Sequence, residues 1–461
     1  MSAIDWIVWN EPAVGRSHPN LTDVDNRPLR QALSKSGYDP DASFSGFEGP
    51  LFHVKAYGAL GDGLADDTTA IQNALNAAVA APTGGRVFLP PGSYVVSARL
   101  RLGASVAPDN LRISGYGAVI KPTAAITNQV FRLGDTGSGR EASNMLLEGF
   151  TIDMSAVGGA TSIGIAAFIK QHCVMRDINV LTVPQHGFSL AGLAGTPTDI
   201  LMDHCYVQDA QGNAVLFSNN VTKSVLRACG AKNTCITQLG GVFYVFSGDN
   251  NVLDGCWADT SQDNGFRIAG SNNRIVRCHA INIKGDSFRL TGNGTRGIIE
   301  SCVAETMIAG GSGHAFRASG HTNGRFIACE GRDCANGVRI DNLDGVVKGI
   351  LVKGCHFESM QPGGGLGDGV NMTAGSYHQL VGNTFKNMGR DGIRGDNVTQ
   401  ITAVGNVCYD DQGVKTQVYG VRSTGTSDYW LVQGNMIRAV DHVTGSSSLV
   451  GANNLNTNNI V

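Results

Sequence analysis

Residues 256–304 read CWADTSQDNGFRIAGSNNRIVRCHAINIKGDSFRLTGNGTRGIIESCVA, which is one phrase spoken twice. A cysteine opens each unit (Cys256, Cys278, then Cys302), and a short block follows it: Asn264-Gly-Phe-Arg-Ile in the first, Asp286-Ser-Phe-Arg-Leu in the second. Outward from this stretch the cysteine mark continues at Cys205, Cys229, Cys329 and Cys355, at intervals of 22 to 27 residues, until Asn383, Asn406 and Asn435 take over the slot. The second block recurs as His314-Ala-Phe-Arg-Ala, Asn336-Gly-Val-Arg-Ile, Asp368-Gly-Val-Asn-Met, Asp391-Gly-Ile-Arg-Gly and Tyr419-Gly-Val-Arg-Ser. Asn/Asp-Gly supplies a turn, and the residues after it alternate apolar, polar, apolar, the period of a half-buried strand. The Leu-x-x-Leu-x-Leu pattern of leucine-rich repeats is missing, and so is the periodicity of helical repeats. What remains is an all-β solenoid, a parallel β-helix. About twelve coils stacked at about 4.8 Å would make a rod of about 55–60 Å.

The composition agrees. Glycine provides 62 of 461 residues and proline only 13, while 42% of the chain is hydrophobic, which excludes both disorder and collagen. Charged residues are 16% and the net charge is −3, so no bulk field draws the chain to nucleic acid or to an anionic membrane. Neither a signal peptide at the N-terminus nor a run of about eighteen apolar residues is found, which leads us to expect no membrane insertion and synthesis in a cytoplasm. Eleven cysteines is an odd number, with no CxxC pair and no zinc spacing, so neither a disulfide framework nor a metal is expected. In a β-helix equivalent positions stack on consecutive coils, and the repeated slot reads as an internal ladder of unbridged cysteines continued by asparagines.

At the front end stand Tyr57-Gly58-Ala59, Gly61-Asp62-Gly63, Asp66-Asp67-Thr68, Ala70-Ile71-Gln72 and Leu89-Pro90-Pro91-Gly92-Ser93-Tyr94. The middle of this stretch reads as a helix started by Asp66/Asp67 with an apolar stripe at Ile71, Leu75 and Val79, suited to cover the open end of a rod. These blocks resemble the opening signature of the pectate-lyase-like superfamily, and with the coils the resemblance spans about residues 52–440. It implies a right-handed parallel β-helix with an N-terminal capping helix, and a long glycan handled in a groove along the rod. The superfamily includes polysaccharide lyases, hydrolases, uronate epimerases and bacteriophage tailspikes. The hydrolase blocks are incomplete here, and the nearest match to the epimerase Asp-Pro-His motif is Pro184-Gln185-His186.

Residues 1–48, with Trp6, Trp9 and the phrase Asn20-Leu-Thr-Asp-Val-Asp, fit neither repeat nor signature and read as a docking segment. The β-helix is expected over 49–445 and an end segment over 446–461. Together these features resemble a phage tailspike: a homotrimer attached to the virion baseplate or tail through residues 1–48, which binds and hydrolyses a bacterial surface polysaccharide without a cofactor. A free lyase or C5-epimerase acting on uronate polymers is the alternative enzyme, and a glycan-binding adhesin the non-catalytic one.

Two columns could carry the chemistry. Alternation along the strand points the Phe, Val or Ile inward and the next residue outward, so Arg267, Arg289, Arg317, Arg339, Arg394 and Arg422 form an external column interrupted by Asn371. Such a column is either a track for an acidic glycan or a ladder neutralised by nearby carboxylates. Three residues earlier, Asp286, Asp368 and Asp391 form a second column. Asp368 and Asp391 fall on consecutive coils, where two carboxyls can act as a glycosidase pair, although Asp-Gly is also common turn chemistry. For elimination, Arg289 or Arg317 with His314 supplies a cation and a base. Glu300, Glu305, Glu330 and Glu358 are alternative acids on other faces, and Trp257 or Trp430 could stack on a sugar.

Overall fold

The computed structural model describes residues 49–460, apart from 136–138, 193–197, 219–220, 239, 309–310, 312, 361–366 and 439–441. The expected docking segment, 1–48, lies outside the described residues. The described chain winds as a parallel β-solenoid of about 14 turns. The first coils, with strands such as Gly85–Phe88 and Leu100–Leu102, precede the cysteine mark, and this is why counting from that mark gives too few.

Each coil contributes to three parallel sheets. In the best-formed coils the first sheet takes Val252–Asp254, Arg274–Val276 and Ile298–Glu300, and the second takes Trp257–Ser261, His279–Ile283 and Val303–Met307. The third stacks Phe266–Ala269, Phe288–Thr291 and Phe316–Ser319. The inward residues are aligned by this register, so like meets like: Phe243, Phe266, Phe288 and Phe316 form a continuous stack with centroids 4.8–5.2 Å apart and planes within 11° of parallel. Strands Gly445–Ser448 and Leu455–Thr457 pair onto the third and first sheets, so the solenoid continues through the expected end segment and does not stop at 445.

The cysteine slot sits at the inner side of the corner between the first and second sheets. The residue before it adopts a left-handed conformation, as at His204 (φ 52°), Ala228 (50°), Arg277 (52°) and Ser301 (52°), and later at Gly354, Gly382 and Gly405. This single residue turns the chain through the corner. All eleven cysteines are free and buried, as the ladder reading requires. Where asparagine succeeds cysteine, its side-chain oxygen accepts from the coil before: the Asn383 backbone N–H donates to Asn406 Oδ1 (3.0 Å), that of Asn406 to Asn435 Oδ1 (2.8 Å) and that of Asn435 to Asn459 Oδ1 (2.8 Å).

At the front end, helix Thr68–Ala80 buries Ala70, Ile71, Ala74, Leu75 and Ala78 against the first coils. The acidic signature serves the backbone: Asp67 accepts the Leu60 and Gly61 amides (2.6 and 3.1 Å), and Asp62 accepts those of Leu64 and Ala65 (2.8 and 2.9 Å). Gly61 is required twice over, by its φ of +65° and because a Cβ there would stand 2.9 Å from the Tyr94 ring.

Candidate functional site

The two columns read from the sequence are both present in the third sheet. Arg267, Arg289, Arg317, Arg339, Asn371, Arg394 and Arg422 share one register position on successive coils. They do not form an open cationic track. Arg289 pairs with Asp286 (3.4 Å) and Asp344 (2.6 Å), Arg317 with Asp286 (3.2 Å) and Asp341 (2.9 Å), Arg339 with Asp341 (3.3 Å), and Arg394 with Asp391 (3.2 Å). Arg267 and Arg422 lie over the rings of Tyr244 and Tyr419. Cations repeated at coil spacing repel, and the carboxylates alongside neutralise them.

Asp286, Asp368 and Asp391 are buried, and both oxygens of each are occupied. One oxygen accepts the amide of the equivalent residue on the next coil: Asp286 from His314 (3.2 Å), Asp368 from Asp391 (3.1 Å) and Asp391 from Tyr419 (3.2 Å). Asn264 and Asn336 do the same for Asp286 and Asp368 (3.0 and 2.9 Å). The other oxygen holds arginine in Asp286 and Asp391, while Arg390 spans both oxygens of Asp368 and Asn371 donates to its Oδ2. The expected catalytic acids are therefore a turn ladder, closed to solvent. Burial first, and then the charge of Asp368, pushes Asp391 up to about 6. His314 belongs to the same ladder through Asn336 (3.1 Å), and burial lowers it to about 4, so it stays neutral. His186 accepts the Asn213 amide (3.1 Å) at the corresponding turn.

A different face gathers titratable groups, with Glu148, Asp203 and Asp254 buried and Arg227 exposed. Two residues before the cysteine slot, on the outside of the first sheet, consecutive coils present Glu148, Arg176, Asp203, Arg227 and Asp254, alternating in sign. Glu148 is taken by Arg112 (2.5 Å), Asp203 by Arg227 through two bonds (2.9 and 2.6 Å), and Asp254 by Arg277 (2.5 Å). Arg176 stands between two carboxylates already engaged elsewhere, and its buried Nε makes no hydrogen bond among the described residues. Beside it, His204 occupies the corner position with its side chain 61% exposed and Nδ1 3.0 Å from the Asp203 carboxylate. That bond raises the His204 pKa above 6.5. Against burial, which acts upward, Arg227 and His204 hold Asp203 well below the usual carboxylate range. Tyr116 reaches along the rod over Gly149, where a Cβ would collide with its ring, and its hydroxyl donates to Asp177 (2.9 Å). Burial and that bond raise the phenol, so it remains a proton donor at neutral pH.

A histidine oriented by a buried aspartate, a protonated tyrosine and a guanidinium without an ion pair among the described residues make a set capable of acid–base chemistry on an anion. Sequence reading missed Tyr116, Arg176, Asp203, His204 and Arg227. The signal was nevertheless available, because the residues two before Cys205, Cys229 and Cys256 read Asp203, Arg227 and Asp254. The alternative acids land apart: Glu300 pairs with Arg274 (2.5 Å), Glu305 with His279 (3.3 Å) and Glu358 with Lys386 (2.9 Å), while Glu330 is exposed. Among the described residues no cluster of three metal-ligating side chains is found, and no helix is long and apolar enough to cross a membrane.

Fold and front-end signature together define a pectate-lyase-like β-helix protein. The chain belongs to the rhamnogalacturonase A/epimerase, pectate lyase-like family, whose model matches residues 51–356. The mannuronan C5-epimerase AlgE6 of Azotobacter vinelandii is 40% identical over 107 residues, 22% of this chain and 12% of that protein. The matched part is thus a small fraction of this curated relative. Among solved structures, the AlgE6 A-module of the same organism has a TM-score of 0.51 at 19% identity, covering 89% of this chain and 98% of that one. The pre-mature gene product 12 of bacteriophage phi29 has a TM-score of 0.65 at 16% identity, covering 82% and 55%. At these identities the likeness is one of fold.

Proposed function

We propose that the chain binds an acidic bacterial polysaccharide along the corner between its first and second sheets and acts there on the carbon next to a uronate carboxylate. The observation that carries this reading is Arg176, a cation without an ion pair among the described residues in a ladder whose other charges are matched, next to the Asp203–His204 pair. Arg176 receives the uronate carboxylate and stabilises the charge that develops on it. Neutral His204 takes the C5 proton through Nε2, and the electron pair of that C–H bond moves into the carboxylate. Tyr116 then returns a proton, either to C5, which inverts the sugar, or to the glycosidic oxygen as the C4–O bond breaks, which leaves an unsaturated end. The sequence relative among mannuronan epimerases supports the first outcome. Arg176→Gln is expected to lower turnover of polymannuronate or polygalacturonate by about a hundredfold or more. Turnover within a factor of two of the unaltered protein would remove Arg176 from the reaction.

A second reading retains the role of a tailspike, a trimer fixed to a virion through residues 1–48 that degrades the same class of polymer by hydrolysis. The likeness of fold to the phi29 protein favours it. New reducing ends without ultraviolet absorbance would select hydrolysis, and capture of virion tail components by residues 1–48 would select the virion role.

A further inference from the structure

Immediately past the corner, on the second sheet, is a feature that the proposed chemistry does not use. Tyr206, Gly230 and Trp257 occupy one register position on three consecutive coils. Glycine inside a strand marks the close approach of another group to the backbone. Here that group is the Trp257 indole: a Cβ on Gly230 would overlap its Cε2, Cζ2 and Nε1 atoms. The indole lies back across the bare rung and meets the Tyr206 ring, with centroids 5.6 Å apart and planes at 33°. Trp430 shows what a structural tryptophan looks like in this fold, 1% exposed with Nε1 donating to the Val398 carbonyl (3.4 Å). Trp257 by contrast is 38% exposed.

The shelf has a polar border on both flanks. Along the strands lie Gln208 and Asp209, joined at 3.0 Å, with Asn233 on Asp209 (2.7 Å) and Lys232 near Asp259 (3.6 Å). On the opposite flank stand Asp203, His204 and Arg227. A flat apolar face with hydrogen-bonding groups on either side matches a pyranose, whose C–H face is apolar and whose hydroxyls point outward from its rim. We infer that the Tyr206–Trp257 shelf is a sugar subsite, seating the unit next to the one over His204. It deepens the glycan reading and rests on it. The hydroxyls of the seated sugar face Gln208, Asp209 and Asn233, and the polymer then runs across the corner toward Arg176.

The test is native electrophoresis of the full chain through gels containing polymannuronate, polygalacturonate or, as a neutral polymer, dextran. Trp257→Ala and Gly230→Ala, the latter leaving the indole in the chain but displacing it, are each expected to bind the retarding polymer about tenfold more weakly. Trp257→Phe should fall between them and the unaltered protein. Should the alanine variant of Trp257 fail to fold, Gly230→Ala and Trp257→Phe decide the matter alone. Retardation of the variants equal to that of the unaltered protein overturns the subsite and leaves the glycan reading standing. If the unaltered protein is retarded by none of the polymers, the glycan reading fails and the subsite fails with it.

Discussion

His204 and Asp391 are titratable groups in opposite settings, one exposed at a corner beside Asp203 and the other buried in the turn ladder. As the proposed base, His204 works when neutral, so the account predicts a rate that rises as pH rises through its pKa, with the Asp203 bond setting that limb above 6.5. Asp203→Asn removes the charge, so the limb should move to lower pH and turnover fall by about tenfold or more, measured as a pH–rate profile. An unmoved limb would mean that His204 is not the titrating group. Asp391 has its folded pKa at about 6 against 3.8 for the free side chain, so between those values the folded state holds the extra proton. Stability contributed by this group is therefore greatest below about pH 4, declines as pH rises to 6, and is level above. Urea titrations should show the difference between Asp391→Asn and the unaltered protein changing by about 2–3 kcal/mol across that window. A constant difference would contradict the burial argument. The sequence reads Asp391 as either acid or turn, and in the structure its two oxygens are bonded to the Tyr419 amide and to Arg394.

At the scale of elements, two repeated positions keep the coils in register. Asn/Asp-Gly reads in the sequence as a turn, and the structure adds a packing reason for its glycine: a Cβ on Gly369 would overlap the Phe385 ring and the Gly392 carbonyl on the next coil, so glycine is needed where stacked coils touch. Alternation alone does not reveal such a contact, since it arises between residues about 23 positions apart. The asparagine ladder was legible, because its phrase repeats at the cysteine interval. Asn406 accepts the Asn383 amide and donates to the Leu380 carbonyl (2.9 Å) and to Asn435 Oδ1 (2.9 Å), all buried. Asn406→Ala leaves those groups unpaired and should cost about 3 kcal/mol, read from denaturant midpoints. A loss under about 0.5 kcal/mol would show that water replaces the amide. The cysteine ladder carries the opposite expectation. With all eleven cysteines free and buried, the melting temperature should be unchanged by reductant. A fall of several degrees would reveal a disulfide.

Across the whole molecule the fold was more legible than the site, for a physical reason. A solenoid writes its architecture once per coil, so Cys256, Cys278 and Cys302 with their Phe-Arg blocks suffice to recover the parallel sheets. The site is written only once, and across coils: Tyr116, Arg176, His204 and Trp257 have no shared phrase and become neighbours only after winding. Their alternating charges were visible beside the cysteine slot, yet which cation lacked a partner depended on side-chain geometry at Arg112 and Arg227. The third-sheet arginines stand out in the sequence because they repeat, and in the structure Arg289, Arg317, Arg339 and Arg394 are paired with carboxylates. The central claim is proton abstraction from C5 of a uronate at His204. Its most direct test is proton nuclear magnetic resonance of polymannuronate incubated with the protein in deuterium oxide. The account predicts loss of the H5 signal through deuterium uptake or unsaturation, absent with His204→Ala; an H5 signal that persists while the chains shorten, or exchange that survives His204→Ala, would contradict it.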